Sequence, residues 1–243
     1  MNICAEGCVM ATNDWSKAQA KSLRQFFPVM VIGTAFIIAM GRWLAPEAVD
    51  WLLSGAVAAW FLYALSMAGA RLWEKAALGA WILLFPIWGA AIFANVEAAF
   101  LGDLSFEERL YADGVKIALV GAIGTALSGA LTAAVIFVVT RAVRPPVWCF
   151  VAALLAAIVM YGVRGAESFL MELLGSRAYW SLQNFVNFVG PLLWFALTLW
   201  GLLTWARPRA LRRVGLCEKC GYDTAGAPGE KCPECGVAAT SQH

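Results

Sequence analysis

The sequence has few charged residues and almost no histidine. Of its 243 residues, 14% are charged and 61% are hydrophobic, and the single histidine is His243. A water-soluble domain has about 25% charged and about 45 to 50% apolar residues. One globule of this size would therefore expose large apolar patches to water. Together with a mean hydropathy of +0.71, the composition predicts that lipid surrounds most of the chain.

Motifs that carry catalysis are also missing. The sequence has no glycine-rich phosphate loop, no nucleophile motif and no Glu-x-x-His pattern of di-iron sites. Paired carboxylates do occur at Asp103, Glu107 and Glu108. They have no histidine partner, which favours a solvated loop over acid–base chemistry. We therefore expect that the protein is not an enzyme.

Six apolar stretches are long enough to cross about 30 Å of hydrocarbon as helices. Their continuous apolar character indicates helices, because the strands of a membrane barrel alternate apolar and polar residues. Pro86 and Pro191 are expected to kink the third and sixth helices. The predicted fold class is an all-α membrane protein with about six transmembrane helices. The stretches are 26–45, 50–70, 76–101, 115–140, 146–163 and 185–206.

The first apolar stretch has no small-residue cleavage site, so we expect it to remain in the membrane as a span. Residues 1–9 fit the following sequence poorly, and Met10 is the expected start of the native chain. Cys4 and Cys8 would then not belong to the native protein. Cys149 lies within the fifth stretch and is interpreted as a small buried apolar residue.

Lysine and arginine are distributed unequally between alternate loops. Loops rich in these residues stay in the cytoplasm, so the count predicts that both termini are cytoplasmic. One set of loops carries eleven: Lys17, Lys21, Arg24, Arg71, Lys75, Arg141, Arg144, Arg207, Arg209, Arg212 and Arg213. The other set carries five: Arg42, Arg109, Lys116, Arg164 and Arg177.

A stripe of small residues runs along the fourth apolar stretch. Gly121, Thr125, Gly129 and Ala133 recur every four residues, which lets another helix approach closely. We expect this contact inside the bundle. A contact between two copies of the chain, and hence a homo-oligomer, is the alternative.

The remaining polar features lie near the predicted outer surface. Residues 166–179 are expected to form a short helix along the outer interface. The central parts of the six stretches contain no ionisable residues, which disfavours an ion-coupled transporter. Interfacial solvation is the expected role of the polar residues near the span ends, with a functional cluster facing an outer vestibule as the alternative. These residues are Asn95, Glu97, Asn184 and Asn187.

The one specific motif follows the last apolar stretch. Cys217 and Cys220 form one Cys-x-x-Cys pair, and Cys232 and Cys235 form a second, eleven residues further on. Two such pairs can place four thiolates tetrahedrally around one metal ion. A glycine follows each pair and permits a positive φ, so that backbone amides can turn toward the sulfurs. A segment this short cannot build a hydrophobic core, so metal binding is expected to provide its folding energy.

This motif resembles a zinc ribbon found at the ends of many uncharacterised bacterial proteins, often beside membrane spans. The resemblance covers about a tenth of the chain and implies a fold for the tail without implying an activity. An arginine–glycine pair that commonly follows the aspartate in that family is absent here, where Thr224, Ala225 and Gly226 stand instead. The matching residues are Cys217, Cys220, Gly221, Tyr222, Asp223, Cys232, Pro233, Glu234, Cys235 and Gly236.

The same spacing is also similar to the rubredoxin-like tail of rubrerythrins, which implies iron. A tetrahedral site of four sulfurs suits either metal. We expect zinc, because nothing else in the chain resembles a redox partner, and iron is the alternative.

The sequence therefore predicts a protein of the bacterial inner membrane with three parts. Residues 1–25 form a cytoplasmic N-terminal tail, 26–206 form the bundle in the lipid bilayer, and 207–243 form a cytoplasmic tail with a ribbon at about 215–238. The ribbon is expected to contact another cytoplasmic protein. Nucleic-acid binding is not favoured, because Lys219 and Lys231 are the only basic residues of the ribbon.

Two other functions remain open at this point. One is a membrane electron-transfer protein with an iron site in the tail. The other is a transporter or channel for a neutral solute, which needs no buried charge.

Overall fold

The computed structural model describes residues 17–18, 20–21, 23, 25–40, 46–102, 114–217, 219–220, 222–223 and 231–236. Within these ranges the chain is helical apart from short turns and the tail, which confirms the all-α class. The helices are α1 (Phe26–Met40), α2 (Pro46–Met67), α3 (Leu72–Leu83), α4 (Phe85–Leu101), α5 (Gly114–Thr140), α6 (Arg144–Gly165), α7 (Glu167–Leu174) and α8 (Ser176–Arg213).

Helix α6 has its small residues inside and its large residues outside. A helix in water buries its large apolar residues. Lipid instead solvates large residues and leaves small ones for contacts between helices. The arrangement in α6 therefore indicates a membrane protein. The buried residues are Pro145, Pro146, Cys149, Ala152, Ala153, Ala156 and Ala157. The exposed large residues are Val147, Trp148, Phe150, Val151, Leu154, Leu155 and Ile158, the last 68% exposed.

Three helices are long and apolar enough to cross a membrane: α5, α6 and the Ser176–Arg212 part of α8. Helices α3 and α4 meet the same requirement together, with a bend of 56° at the break between them. Helix α1 and residues Trp51–Met67 of α2 are apolar but shorter. The described residues thus contain three to four candidate spans, and the number six stays a prediction.

The predicted third span, 76–101, is broken between α3 and α4. Pro86 lies in the first turn of α4 and has no N–H to donate back across the break. The carbonyl of Trp81, near the end of α3, accepts a hydrogen bond of 2.8 Å from Trp88 Nε1. This bond satisfies a backbone group for which lipid offers no partner. The kink predicted at Pro86 is confirmed by the 56° bend. Helix α8 continues as one helix through Pro191, where the kink stays a prediction.

The small-residue stripe of α5 lies inside the bundle, as expected. Gly121, Thr125, Gly129 and Ala133 are all buried. A Cβ added at Gly129 would clash with the Cβ of Ala153 in α6. The two helices can therefore approach this closely only because position 129 has no side chain.

The connection between the predicted fifth and sixth spans differs from the prediction. Gly175, with φ at 79°, separates α7 from α8, so the segment 166–179 is divided between two helices. Glycine tolerates this backbone conformation, which ends α7. As a result, α8 begins well before the predicted span 185–206. Phe169 and Leu173 of α7 are exposed, as expected for a helix at the interface.

Candidate metal centre

The path from the bundle to the cysteines begins at the end of α8. Gly215 has φ at 76°. Its N–H donates to the carbonyl of Arg212 at 3.1 Å, and the N–H of Leu216 donates to the carbonyl of Leu211 at 2.9 Å. These two bonds define a Schellman motif, which stops the helix and turns the chain back. Cys217 is the second residue after the glycine.

The turn directs Leu216 into the bundle rather than into solvent. Leu216 is 3% exposed and belongs to the main apolar cluster. The same cluster contains Leu211 of α8 and two residues that precede α1, Ala20 and Leu23. The candidate ligand Cys217 therefore follows a residue whose side chain is buried in the bundle.

Each cysteine pair lies on a tight turn. In the first, the N–H of Cys217 donates to the carbonyl of Tyr222 at 2.7 Å, and Leu216 and Asp223 form an antiparallel bridge. In the second, the N–H of Gly236 donates to the carbonyl of Cys232 at 2.9 Å. Gly236 has φ at 68°, which confirms the positive φ predicted after this pair. Gly221 lies outside the described residues.

The turns bring all four cysteines together. Their Sγ atoms all lie within 4.8 Å of one another. Cys217 Sγ is 3.5 Å from Cys235 Sγ, and Cys220 Sγ is 3.6 Å from Cys232 Sγ. These separations far exceed the length of about 2.05 Å of a disulfide.

The spacing of the sulfurs fits a single tetrahedral ion. A bond of about 2.3 Å from zinc to each of four tetrahedral sulfurs puts neighbouring sulfurs about 3.8 Å apart. The two measured distances lie close to this value, and a soft four-thiolate donor set suits zinc or iron. The four cysteines predicted as ligands thus form a site that could hold a metal ion.

The surroundings of Cys217 and Cys220 shift the pKa values of their thiols in opposite directions. The pKa of Cys217 falls to about 6, because its sulfur accepts hydrogen bonds from the N–H of Cys220 and, more weakly, of Lys219, against an opposing effect of burial. At Cys220 the N–H of Tyr222 lowers the pKa, but burial and the three neighbouring thiols together raise it to about 12. Of these two thiols, Cys217 is therefore the one that ionises near neutral pH, as expected if amides turn toward the first sulfur.

Charged side chains surround the site without covering it. Lys219 and Lys231 are exposed. Asp223 forms an ion pair of 2.6 Å with Lys17, which precedes α1. This pair was not predicted, because the sequence gives no signal that links positions 206 residues apart. Gly215 after a basic helical turn, in contrast, is a recognisable end-of-helix signal.

The other residues singled out in the sequence lie apart from the cysteine cluster. Asn95 Nδ2 donates to the carbonyl of Ala91 at 2.7 Å, and Gln183 Nε2 donates to Asn187 Oδ1 at 3.0 Å. Each bond stays within one helix. Asn95, Asn184 and Asn187 are exposed, whereas Gln183 is buried. Cys149 is buried in α6, which confirms its interpretation as an apolar core residue. The predictions for Cys4, Cys8, Arg42 and the carboxylates Asp103, Glu107 and Glu108 fall outside the described residues.

Comparison with protein-family models, curated proteins and solved structures finds no match to this chain. The functional argument therefore rests on the chain's own residues.

Proposed function

We propose that this chain is a six-span protein of the bacterial inner membrane that presents a zinc ribbon to the cytoplasm as a docking module for another protein. The observation that carries the proposal is the cluster of four Sγ atoms held directly at the end of α8. A site of four cysteines leaves no open coordination position for catalysis, which is the mark of a structural metal. In this proposal the bundle anchors the ribbon and the metal folds it.

Metal analysis of the purified protein tests the identity of the ion. We expect one equivalent of zinc and no visible absorption. Cys217→Ser should lose the metal, whereas Cys149→Ser, which changes a cysteine buried in α6, should retain it. A coloured protein with one equivalent of iron would support the electron-transfer alternative instead.

The six-span arrangement is supported by the exposed apolar surface of α1. Val29, Ile32 and Phe36 point away from the rest of the bundle. In water these side chains would form a costly apolar patch, whereas lipid solvates them. If the chain crosses the membrane six times, the loop around position 42 lies outside the cell. If α1 and α2 do not cross and only four spans remain, the same loop lies inside. Labelling of Arg42→Cys in a cysteine-free background with a membrane-impermeant maleimide distinguishes the two.

A docking role for the ribbon is supported by its exposed aromatic residue. Tyr222 is 38% exposed beside the cysteine cluster, and tyrosine is enriched among residues that dominate protein interfaces. Crosslinking in cells should recover the same neighbours with Lys219→Ala as with the unchanged protein, but fewer with Tyr222→Ala. Identical neighbours for both variants at equal metal content would argue against docking through Tyr222.

A further inference from the structure

The break between α3 and α4 opens a cavity inside the bundle. Its volume is about 300 Å³, and residues from α2, α3, α4, α5, α6 and α8 line it. A cavity of 150 Å³ holds one benzene ring in a protein interior, so this space suits a molecule of about two rings. It lies at the lower end of the range for small-molecule sites, about 300 to 1,000 Å³.

One wall of the cavity is a chain of aromatic rings. The ring centroids of Trp81 and Trp88 are 4.3 Å apart, those of Phe85 and Trp88 are 4.7 Å apart, and those of Phe85 and Trp194 are 5.9 Å apart. The two indoles of the α3–α4 break already have hydrogen-bond acceptors. Trp81 Nε1 donates to Thr132 Oγ1 at 3.2 Å, and Trp88 Nε1 donates to the carbonyl of Trp81 at 2.8 Å. This wall therefore offers flat apolar surface.

Thr198 of α8 offers a buried hydroxyl on the wall of the cavity. Its side chain lines the space and is 4% exposed, and among the described residues its Oγ1 has only the weakly bonding thiol of Cys149 near it. Other buried threonines, Thr34, Thr132 and Thr140, each donate to the carbonyl four residues earlier. Thr198 does not, so a buried hydroxyl is left for a molecule in the cavity to satisfy.

The cavity walls also determine the charge of the ligand. Among the described lining residues there is no aspartate, glutamate, lysine, arginine or histidine. A cation would gain attraction from the aromatic faces, but without a carboxylate this does not compensate for the loss of its hydration. An anion would have no cationic partner. The space therefore favours a neutral molecule.

We propose that this cavity is a binding site for a neutral, mostly apolar molecule of about two rings, with one hydroxyl or carbonyl oxygen bonded to Thr198. The ligand enters from the membrane, where such molecules dissolve. The site is independent of the metal in the tail.

Equilibrium binding of radiolabelled 2-naphthol to the full-length protein in lipid nanodiscs tests the proposal. Empty nanodiscs measure partition into lipid, which is linear in concentration. We expect an additional saturable component of about one molecule per protein. Unlabelled naphthalene, which lacks the hydroxyl, should displace the probe about three- to tenfold more weakly than 2-naphthol, the ratio that one hydrogen bond provides. Tetraphenylphosphonium, a lipophilic cation, should displace it more weakly still.

Variants assign the binding to this cavity. Thr198→Val keeps the shape of the side chain and should abolish the preference for naphthol over naphthalene. Ala156→Leu adds volume to the α6 wall and should abolish saturable binding, while Ile158→Leu on the exposed face of α6 should leave it unchanged. If Ala156→Leu does not fold, as judged by circular dichroism and gel filtration, Ser54→Leu fills the space from α2.

Three results would overturn the proposal. The first is uptake no greater than that of empty nanodiscs. The second is saturable binding that a folded cavity-filling variant leaves unchanged. The third is displacement by tetraphenylphosphonium at a lower concentration than by naphthalene, which would assign the space to cations.

Discussion

Lys17 Nζ lies 2.6 Å from Asp223 Oδ2, so the segment that precedes α1 touches the cysteine-containing tail that follows α8. Both side chains are partly exposed, and ion pairs of this kind contribute about 0 to 1 kcal/mol. The contact is therefore more informative about position than about stability. It places Lys17 and Asp223 at the same end of the bundle. Which side of a membrane this end faces stays a prediction from the basic loops.

Zero-length crosslinking checks this contact directly. A carbodiimide should join the Lys17 amine to the Asp223 carboxylate, and peptide mass spectrometry should recover the joined peptides. Lys17→Arg keeps the positive charge but has no amine that forms an amide, so it should abolish the product. A product that persists in this variant would show that another lysine makes the contact.

Because the pKa values of Cys217 and Cys220 differ, alkylation of the two cysteines in the metal-free protein should depend differently on pH. The thiolate is the nucleophile, so reaction at each cysteine increases as pH rises through its pKa. With a pKa of about 6 at Cys217 and about 12 at Cys220, iodoacetamide at pH 7 should modify Cys217 and largely spare Cys220. Modification of Cys217 should decrease as the pH falls below about 6.

Trypsin makes this prediction measurable, because cleavage after Lys219 separates the peptide of Cys217 from that of Cys220. Zinc added before the reagent should protect both. Equal labelling of the two peptides at every pH would show that the hydrogen bonds of the first turn form only when metal is bound.

The close packing of α5 against α6 predicts that alanine substitutions at two glycines change the stability of the protein in opposite directions. Gly129→Ala places a methyl group against Ala153 and should destabilise the protein by about 1 to 3 kcal/mol. Gly162→Ala in α6 meets no atom within 4 Å and should stabilise its helix by up to about 1 kcal/mol. Unfolding in detergent micelles measures both changes. Similar losses at the two positions would indicate a general intolerance to substitution.

The hydrogen bond at the α3–α4 break predicts that the Trp88 indole contributes to the stability of the protein. Trp88→Phe keeps one aromatic ring but removes the pyrrole part of the indole, with its donor to the Trp81 carbonyl. Loss of this hydrogen bond should cost about 1 to 3 kcal/mol. Trp73→Phe, at an exposed position near the start of α3, should change the free energy of unfolding by less than about 0.5 kcal/mol. The same unfolding assay compares the two, and equal effects would count against a specific role for the Trp88 indole.

Structural features were predicted most reliably from the sequence where they depend on a local residue pattern. The four cysteines, the α5 stripe and the proline at the α3–α4 break depend on spacing or on a single residue type. The boundary between α7 and α8 was misplaced, because both segments mix polar and apolar residues and one glycine decides where the chain turns. The Thr198 hydroxyl and the contact between Lys17 and Asp223 depend on the arrangement of distant helices, which no local pattern reports.

Leu216 and Cys217 are adjacent, yet one belongs to the apolar interior and the other to the metal centre. No flexible linker separates the two residues. An excised ribbon that starts at Leu216 would expose to water a side chain that the intact protein covers, and a truncation before Leu216 would leave a hole at the end of the bundle. Fusion points and C-terminal truncations should therefore be placed beyond Gly236. A truncation between α8 and the cysteines would disturb both the end of the bundle and the cysteine cluster.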